Sequence, residues 1–593
     1  MKKEAIPSWN LSDLYKNNTD PRITTTLQTQ LQRAEIFAKN YRNKIITATS
    51  QELLKIIKEY ESILQEESKP VLYASLVFAA DSKNQKNGAF FQKMQAETLK
   101  ISQKLVFLEL EIAHAKEEQI NQWINDSQLK NYKHYLEKQK ELRKHRLSEA
   151  EEKLLNEKTL TGCGAWQRLF NEVLSSKQFP YQEGKTKEML SETAALNLLY
   201  NHDRKKRKAA ADAFTEGLRQ EAKILTLMAN TLVQDKAIDD KYRNFSTPES
   251  YRHVNNEMTQ EIVDLMSEVI IKNYTVVQEF YKFKKKVLKL EKLYDYDRYA
   301  PVVESKKHIP FEEAQTIVLN AYDQFSPIFA KTAEEFFKKG WIDADLRDGK
   351  KGGAFCTYVT PDLHPYVLVN YTGNIKEVLT IAHELGHGVN ACLMRKQSYI
   401  NFDHPLTMAE TASIFGEMMV FDAVKETLPP KEKFALYMQK IEEIFASVFR
   451  QTAMYKFEQD FHAKQKEHGE QTTEEINKLW RNRQVQMFGK AVELSPGYDY
   501  WWMYISHFWE APFYVYAYAC AELLVLSLYA QYKKEGKPFV PKYIKLLETG
   551  GSASPQDALK PLSIDLTKRE FWEGGINLIK EMIKEAERLY KKI

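Results

Sequence analysis

The chain has 593 residues, a length that suits two or three lobes better than one simple core. Hydrophobic residues make up 43% of it and charged residues 28%, so a large core and a well-solvated surface are both available. The 85 basic and 81 acidic residues leave a formal net charge of +4, which argues against a dedicated nucleic-acid binder, because such proteins are usually strongly basic.

Helix-breaking residues are scarce, with 21 glycines and 19 prolines, so long helices are expected. Residues 1–7 lack the apolar stretch of a secretory signal. The cysteines lie far apart without a C-x-x-C pair, which predicts reduced thiols in a reducing compartment. We therefore expect a cytoplasmic location. The four cysteines are Cys163, Cys356, Cys392 and Cys520.

Residues 20–160 are predicted to form successive amphipathic helices. Apolar side chains recur there at helical spacing, as at Leu53 and Ile57. Residues 161–164, which include two glycines, interrupt the pattern, and it resumes at residues 197–237.

Two segments have rival interpretations. The basic run at residues 204–208 is typical of a localisation signal or a nucleic-acid patch, but the alanines that follow it favour a solvated helix face. Residues 512–530 carry a single charge, Glu522, which would be costly in lipid. We therefore expect a buried helix there and no membrane span.

The clearest strand signal lies near residue 350. A turn-forming cluster at residues 348–353 precedes a β-branched and aromatic run at residues 354–359. A second turn at residues 361–365 precedes a similar run at residues 366–371. This pattern predicts a β-hairpin or two strands of a small sheet.

The sequence H-E-x-x-H occupies residues 383–387. Asn374 and Glu377 upstream resemble a pair that caps the start of a helix. On that helix, His383 and His387 lie four residues apart and share a face, so both imidazoles can reach one zinc ion. Glu384 is rotated from His383 by about 100°. It can therefore approach a water on the metal without being a ligand.

The same helix has an apolar face and two glycines. Gly386 and Gly388 lower helix propensity by about 1 kcal/mol each, and this cost indicates that another element or a ligand packs closely there. The residues expected to face the core are Val378, Ala382, Leu385, Val389 and Cys392.

Glu384 is predicted to be the general base of a hydrolytic reaction. Zinc lowers the pKa of a bound water towards about 7. Glu384 can take the proton of that water as it attacks a peptide carbonyl, and can then pass the proton to the leaving amine.

A catalytic zinc site needs a third protein ligand and an open position. Asn390 and Leu393 stand where the long metzincin motif has Gly and His. Leu406 and Thr407 stand where thermolysin-like or aminopeptidase-like spacings would place a glutamate. The first acidic residue in a convincing helical context is Glu410.

Three more residues belong to this hypothesis. Glu417 lies seven residues after Glu410, and it either orients a histidine of the site or is a surface glutamate. Asp403 and His404, in a loop before Pro405, are rival candidates for the third ligand.

Four segments together resemble the oligoendopeptidase F branch of the thimet-oligopeptidase family of zinc metallopeptidases. H-E-x-G-H is matched at residues 383–387, and A-E-x-A-S at residues 409–413. K-x-G-G-A-[FY] is matched at residues 350–355, and W-x-L-x-x-L-Y at residues 9–15. The resemblance implies one Zn²⁺ per chain, with Glu410 as the third ligand beside the two histidines.

The resemblance also implies residues that face the substrate. Near the C-terminus it implies that His507 and one or two tyrosines stabilise the oxyanion and bind the substrate backbone. Tyr514 and Tyr518, four residues apart, are preferred, with Tyr516 in reserve. The alternative is that these aromatic residues belong to the core.

The strand that follows the glycine pair is expected to bind the substrate as well. Gly353, Ala354 and Phe355 would pair with an extended peptide by β-augmentation.

The fold that the resemblance implies is mostly α. It is a two-lobed helical shell around a deep substrate channel, with a small β-sheet beside the zinc-binding helices. We predict an N-terminal helical region at residues 1–110, a helical domain of the oligopeptidase F N-terminal type at residues 111–190, and a catalytic zinc metallopeptidase domain at residues 191–593.

The favoured function is that of a metalloendopeptidase acting on short unstructured oligopeptides. One alternative is a peptidyl-dipeptidase or carboxypeptidase-type exopeptidase, which would need a cationic group to hold a terminal carboxylate. The other is a peptide-binding protein without catalysis. We expect short peptides as partners, and neither nucleic acid nor membrane.

Overall fold

The computed structural model describes residues 6–303 and 308–593. The chain is 71% helical, which confirms the predicted mostly-α fold class. The described residues divide into two compact units. The first unit consists of residues 6–146, 308–427 and 528–565, and the second of residues 147–303, 428–527 and 566–593.

Within the described ranges the α-helices are numbered α1 to α26 in chain order. They are α1 Pro21–Tyr41, α2 Ser50–Ala80, α3 Gln85–Leu105, α4 Phe107–His114, α5 Glu117–Asn125, α6 Lys133–Leu142, α7 Glu149–Thr159, α8 Cys163–Ser176, α9 Glu192–Leu198, α10 Arg204–Tyr242, α11 Ser250–Asn255, α12 Gln260–Lys272, α13 Tyr274–Val287, α14 Phe311–Phe325, α15 Pro327–Lys338, α16 Ile375–Met394, α17 Leu406–Ala409, α18 Thr411–Lys425, α19 Pro430–Phe445, α20 Gln451–His468, α21 Thr473–Phe488, α22 His507–Glu510, α23 Tyr516–Glu535, α24 Phe539–Thr549, α25 Pro555–Leu559 and α26 Arg569–Tyr590. The strands are β1 Phe179–Glu183, β2 Thr186–Leu190, β3 Ile342–Asp343, β4 Phe355–Thr357 and β5 Tyr366–Leu368.

Helix α2 of the first unit begins at a capping pair. At the start of α2 the Thr49 hydroxyl accepts the N–H of Glu52, and the Glu52 carboxylate accepts the N–H of Thr49. Leu53 and Ile57 on this helix are fully buried. The amphipathic pattern predicted for residues 20–160 is therefore confirmed in this helix, whereas α7 buries none of its residues.

A small sheet lies in the first unit, with strand order β3-β5-β4. β4 pairs antiparallel with β5, with Cys356 opposite Val367, so the predicted pair of strands is confirmed. β3 pairs parallel with β5 and was not predicted, because two residues are too few to show an alternating pattern. β4 and β5 both contact α16, so the sheet lies beside the helix that carries the H-E-x-x-H sequence.

Helix α16 begins at the predicted cap. The Asn374 side chain accepts the N–H of Glu377, and the Glu377 carboxylate accepts the N–H of Asn374. Of the five residues expected to face the core, only Cys392 is half-buried. The fully buried ones are Val378, Ala382, Leu385 and Val389.

The close packing predicted at the two glycines of α16 is confirmed. A Cβ at Gly386 would lie 2.5 Å from the carbonyl oxygen of Ala412 and 2.6 Å from the Cα of Ser413. A Cβ at Gly388 would lie 2.5 Å from the ring of Phe336. α16 therefore lies almost backbone to backbone against α18, which places the two helices at the separation that the site requires.

In the second unit the basic run of residues 204–208 begins α10. Lys205 and Lys208 are exposed, as a solvated helix face predicts. Arg204 and Arg207 instead pair with the buried carboxylate of Asp297, each at 2.8 Å. The run is therefore partly a structural ion-pair network.

The second unit also contains a hairpin that was not predicted, formed by β1 and β2. Phe179 of β1 packs against α10 at Gly217.

Residues 512–530 lie mostly in α23, whose residues are largely buried. Among the described helices, none combines the length and apolar character that crossing a membrane requires.

Candidate active site

The structure brings His383, His387 and Glu410 together. One ligand atom from each lies within 4.8 Å of the others. Oε2 of Glu410 is 3.2 Å from Nε2 of His383 and 3.3 Å from Nε2 of His387. The histidines come from α16, and Glu410 occupies the junction between α17 and α18 with φ −90° and ψ 4°. Glu410 was expected within a helix, and it lies instead at the break between two.

The charges of this group are complementary. Burial favours the protonated form of Glu410, but the hydrogen bonds and charges of His383 and His387 outweigh it and hold the pKa of this carboxyl well below its usual range. Burial acts to lower the pKa of His383, but Glu410 and Glu417 outweigh it and raise the pKa well above its usual value. The carboxylate is therefore anionic, which is the form that binds metal ions.

Two polar side chains of α18 orient these ligands. Oε2 of Glu417 lies 3.4 Å from Nδ1 of His383. A carboxylate at Nδ1 keeps the proton there and leaves Nε2 free to bind a metal ion. The Ser413 hydroxyl donates to Oε2 of Glu410 at 2.5 Å and to its backbone oxygen at 3.1 Å. This set of two imidazoles and one carboxylate, with His383 and Glu410 each held by a neighbour, fits a zinc ion.

Two buried tyrosines complete this framework and were missed by the sequence analysis. Tyr322 of α14 donates to the carbonyl oxygen of Ala382 at 2.5 Å, one residue before the first histidine. Tyr543 of α24 donates to the carbonyl oxygen of Thr411 at 2.6 Å, one residue after Glu410. Both partners are distant in sequence, so no local pattern indicates them.

Glu384 follows the first histidine and is 6% exposed. It does not belong to the metal-ligand group found among the described residues. Burial raises the pKa of its carboxyl above the usual value, although the charges of His383 and His387 act against this shift. A carboxylate with a raised pKa, next in sequence to a candidate metal ligand but not itself in the ligand group, is suited to accepting a proton.

The two rival ligands do not join the metal-ligand group of the described residues. The side chain of Asp403 is 86% exposed. Nε2 of His404 is 2.7 Å from Nδ2 of Asn390, which can donate to it. The geometry therefore favours Glu410 over both.

The sheet places the predicted substrate strand at an edge. Since the order is β3-β5-β4, the far side of β4 has no strand partner among the described residues. Gly353 precedes this strand with φ +80°, a conformation that favours glycine. Nδ2 of Asn370 donates to its carbonyl oxygen at 2.8 Å. Ala354 and Phe355 are half-buried.

The lysine of the K-x-G-G segment fastens this strand to the sheet. The side chain of Lys350 is fully buried and pairs with Asp343 at 2.8 Å. Its ammonium also donates to the carbonyl oxygens of Asp345 and Val369, at 2.9 Å and 2.7 Å. A buried ammonium satisfied in this way fixes the turn from which β4 starts.

In the second unit the structure brings His507, Tyr514 and Tyr518 together. Nε2 of His507 is 3.1 Å from the hydroxyl of Tyr518. The ring of Tyr514 stacks on His507 with centroids 5.7 Å apart and lies 5.1 Å from Tyr518. Tyr514 precedes α23, so the two tyrosines are neighbours without sharing one helix.

Tyr516 is placed differently from the prediction. It is fully buried, and its hydroxyl lies 3.0 Å from Nδ1 of His253 and accepts a hydrogen bond from Asn256 at 2.9 Å. As the first residue of α23, it points into the core of the second unit. A direct contact with substrate does not fit this placement.

Two family models match the chain. Peptidase family M3 matches residues 197–578, and Oligopeptidase F matches residues 111–179. An oligoendopeptidase F homolog from Borreliella burgdorferi is 28% identical, with 98% of each chain covered. Oligopeptidase PepF from Bacillus subtilis is 26% identical, with 100% of this chain and 88% of that one covered.

Solved structures show the same fold. A putative peptidase from Chlamydophila abortus superposes with a TM-score of 0.88 at 24% identity, with 98% of each chain covered. Oligoendopeptidase-F from Enterococcus faecium superposes with a TM-score of 0.73 at 21% identity, with 97% of this chain and 99% of that one covered. Because the first family model spans more than half of the chain, the protein belongs to peptidase family M3, in its oligoendopeptidase F branch, and is a metallopeptidase.

Proposed function

We propose that the protein is a zinc-dependent endopeptidase that hydrolyses short, unstructured oligopeptides. The observation that carries this proposal is the meeting of His383, His387 and Glu410, whose ligand atoms lie within 4.8 Å of one another. Two nitrogens and one oxygen are a donor set typical of catalytic zinc, in which a further position stays open.

His383, His387 and Glu410 would hold one zinc ion. When bound, zinc supplies a Lewis acid that polarises the peptide carbonyl and makes water more acidic. Glu417 and Ser413 keep the ligands oriented, through contacts of 3.4 Å to His383 and 2.5 Å to Glu410.

Glu384 would act as the general base. Its carboxylate takes a proton from the attacking water as the oxygen bonds to the peptide carbonyl carbon. The same carboxyl then gives the proton to the amide nitrogen, and the C–N bond breaks to release a carboxylate product and an amine. A positioned acid–base group contributes on the order of 10²–10⁴-fold in rate.

The exposed edge of β4 would bind the peptide in an extended conformation. Backbone groups at Gly353, Ala354 and Phe355 would add the substrate as a further strand, because this side of β4 has no partner among the described strands. Backbone pairing needs an extended chain, so it selects unfolded peptides over folded proteins.

The last part of the proposal concerns the cluster of His507, Tyr514 and Tyr518. The role given to this cluster rests on the family resemblance. Burial lowers the pKa of His507, so the imidazole is largely neutral near pH 7 and one ring nitrogen can donate a hydrogen bond. Phenol O–H groups donate as well, so this cluster can stabilise the negative charge that forms on the carbonyl oxygen.

The test is a product map of a mixed peptide library, determined by mass spectrometry with and without a chelator. We expect internal cleavage of short peptides that stops with the chelator and returns with zinc. A folded protein included in the same mixture should stay intact. Release of C-terminal dipeptides alone would indicate an exopeptidase, and chelator-resistant cleavage would contradict the proposal.

A further inference from the structure

His404 of the first unit has a buried imidazole that the metal-ligand group does not use. Its side chain is 7% exposed, and it lies between α16 and α17, six residues before Glu410. Nε2 of His404 is 2.7 Å from Nδ2 of Asn390. Because Asn390 follows His387 by three residues on α16, this hydrogen bond joins the helix of the two histidine ligands to the segment that leads to Glu410.

The same hydrogen bond determines where the proton of the His404 ring lies. The NH2 group of an amide can only donate, so Nε2 of His404 accepts the hydrogen bond from Asn390 and carries no proton. The neutral ring therefore carries its proton on Nδ1. Oδ1 of Asp403 is 3.8 Å from Nδ1, beyond hydrogen-bond distance. Within residues 6–303 and 308–593, this buried N–H group has no hydrogen-bond partner.

Two further buried polar atoms near this pair lack a partner. Asn390 is 1% exposed and Thr411 is 2% exposed. Neither Oδ1 of Asn390 nor the hydroxyl oxygen of Thr411 has a hydrogen-bond partner in the described part of the chain. Buried polar groups in folded proteins are nearly always hydrogen-bonded, and leaving one unpaired is costly. Three such groups in one place therefore indicate a common ligand.

The side chains of Asn390, His404 and Thr411 line one small cavity. Apolar residues complete its wall, among them Met408 of α17 and Leu546 of α24. The space open to the centre of a water molecule is about 10 Å³, which is about the room that one water needs. Every residue that lines this cavity belongs to the first unit.

The chemistry of the three atoms favours a small neutral ligand. Nδ1–H of His404 donates, Oδ1 of Asn390 accepts, and the hydroxyl of Thr411 can do either. A metal cation does not suit, because Nδ1 is protonated and none of the described residues that line the cavity is acidic. An anion does not suit, because Oδ1 of Asn390 would repel it. Water both donates and accepts, and a buried water typically makes about three hydrogen bonds.

We propose that this cavity binds one water molecule that positions the metal ligands, an inference that rests on the proposed zinc site. The water accepts a hydrogen bond from Nδ1 of His404, donates one to Oδ1 of Asn390, and forms a third with the hydroxyl of Thr411. Asn390 lies on the helix of both histidine ligands, and Thr411 directly follows Glu410. The water therefore joins the two segments that must hold their ligand atoms at a fixed separation. Asn390, His404 and Thr411 are positioning residues in this arrangement.

The first measurement is a crystal structure of the metal-free and of the zinc-loaded protein, at a resolution that shows ordered waters. In both structures we expect a single density peak in the cavity. It should lie about 2.7–3.2 Å from Nδ1 of His404, Oδ1 of Asn390 and the hydroxyl oxygen of Thr411. A cavity without such a peak would overturn the proposal.

The second measurement is the zinc affinity of Thr411→Val, determined by competition with a chelator of known affinity. Valine keeps the shape of the side chain but removes one partner of the water, so we expect the affinity to fall about three- to tenfold. Thr411→Ser keeps the hydroxyl and should bind zinc nearly as the wild type does. If Thr411→Val does not fold, Thr411→Ala serves instead.

Thr380→Val is the matched control. It removes a hydroxyl from α16 itself, three residues before His383, but that hydroxyl donates to the carbonyl oxygen of Lys376 in the same helix. We expect its zinc affinity to equal that of the wild type. Thermal melts of the metal-free proteins separate the two roles, because a purely structural role of Thr411 would lower the melting temperature without changing zinc affinity.

Equal zinc affinities for Thr411→Val and Thr380→Val would overturn the positioning role while leaving the metal site intact. A wild-type protein that binds no zinc would refute the proposed function, and this inference with it.

Discussion

Glu417 places a carboxylate oxygen 3.4 Å from Nδ1 of His383, while Glu410 contacts Nε2 of the same ring at 3.2 Å. The imidazole of His383 therefore lies between two carboxylates. One is that of Glu417 in α18, and the other is that of Glu410, the residue that precedes α18. This arrangement separates a ligand role, at Nε2, from an orienting role, at Nδ1.

Glu417→Gln should weaken zinc binding without abolishing it. The neutral amide orients His383 less strongly, so we expect a loss of about 10–100-fold in zinc affinity. The measurement is competition with a chelator of known affinity. Glu313→Gln, an exposed glutamate of the same unit, is the matched control. Equal affinities for the two variants would remove the orienting role of Glu417.

Glu384→Gln should keep zinc and the fold but lose activity. Because the amide cannot accept a proton from water, kcat should fall by about 10²–10⁴-fold. Turnover of a quenched fluorescent peptide is measured on protein of verified zinc content. Near-normal kcat in the variant would rule out Glu384 as the base.

Gly386→Ala should destabilise the first unit. The added Cβ would lie 2.5 Å from the Ala412 carbonyl oxygen, and both groups belong to backbone that cannot move freely. We expect a loss of about 1–3 kcal/mol of stability, together with weaker zinc binding.

Gly352→Ala is the control for this change, since nothing lies within 4 Å of a Cβ at that position. Thermal melts of both variants check the expectation. If Gly386→Ala melted at the temperature of Gly352→Ala, the two helices could not be packed as closely as described.

Glu458 should make the stability of the second unit depend on pH. Burial raises the pKa of this carboxyl to about 8, although its Oε1 accepts the N–H of Phe513 at 2.8 Å. The folded state therefore keeps a proton that the unfolded state loses at its ordinary pKa of 4.5. As the pH rises from about 4.5 towards 8, this difference in bound protons lowers the stability.

Glu458→Gln should flatten that dependence, because the amide mimics the protonated acid and does not titrate. The measurement is urea unfolding of wild type and variant at pH 5 and pH 8. The drop in the free energy of unfolding between the two values should be smaller in the variant. An identical drop would show that Glu458 is ionised in the folded state.

The local part of the site could be predicted from the sequence. Two features of α16 depend only on neighbours a few residues away: the cap formed by Asn374 and Glu377, and the apolar face of the helix. Such local signals are visible in a single sequence. The two β-runs were visible for the same reason. The glycines of α16 indicated close packing, but not that the partner would be the backbone of Ala412 and Ser413.

The remaining features depend on contacts between distant residues. Tyr322 and Tyr543 donate to carbonyl groups 60 and 132 residues away, and no spacing rule anticipates such bonds. Tyr516 resembled its neighbours Tyr514 and Tyr518 in sequence, yet its hydroxyl is bound by His253 and Asn256 from an earlier part of the chain.

The central claim is that His383, His387 and Glu410 bind one zinc ion on which peptide hydrolysis depends. The most direct test is to remove the metal with a chelator, return zinc stepwise, and follow metal content and peptide turnover in the same samples of wild type and Glu410→Ala. We predict that wild-type turnover rises in proportion to bound zinc and saturates at one equivalent per chain, whereas Glu410→Ala retains little zinc and little activity. Full zinc content and normal turnover in Glu410→Ala would contradict the account.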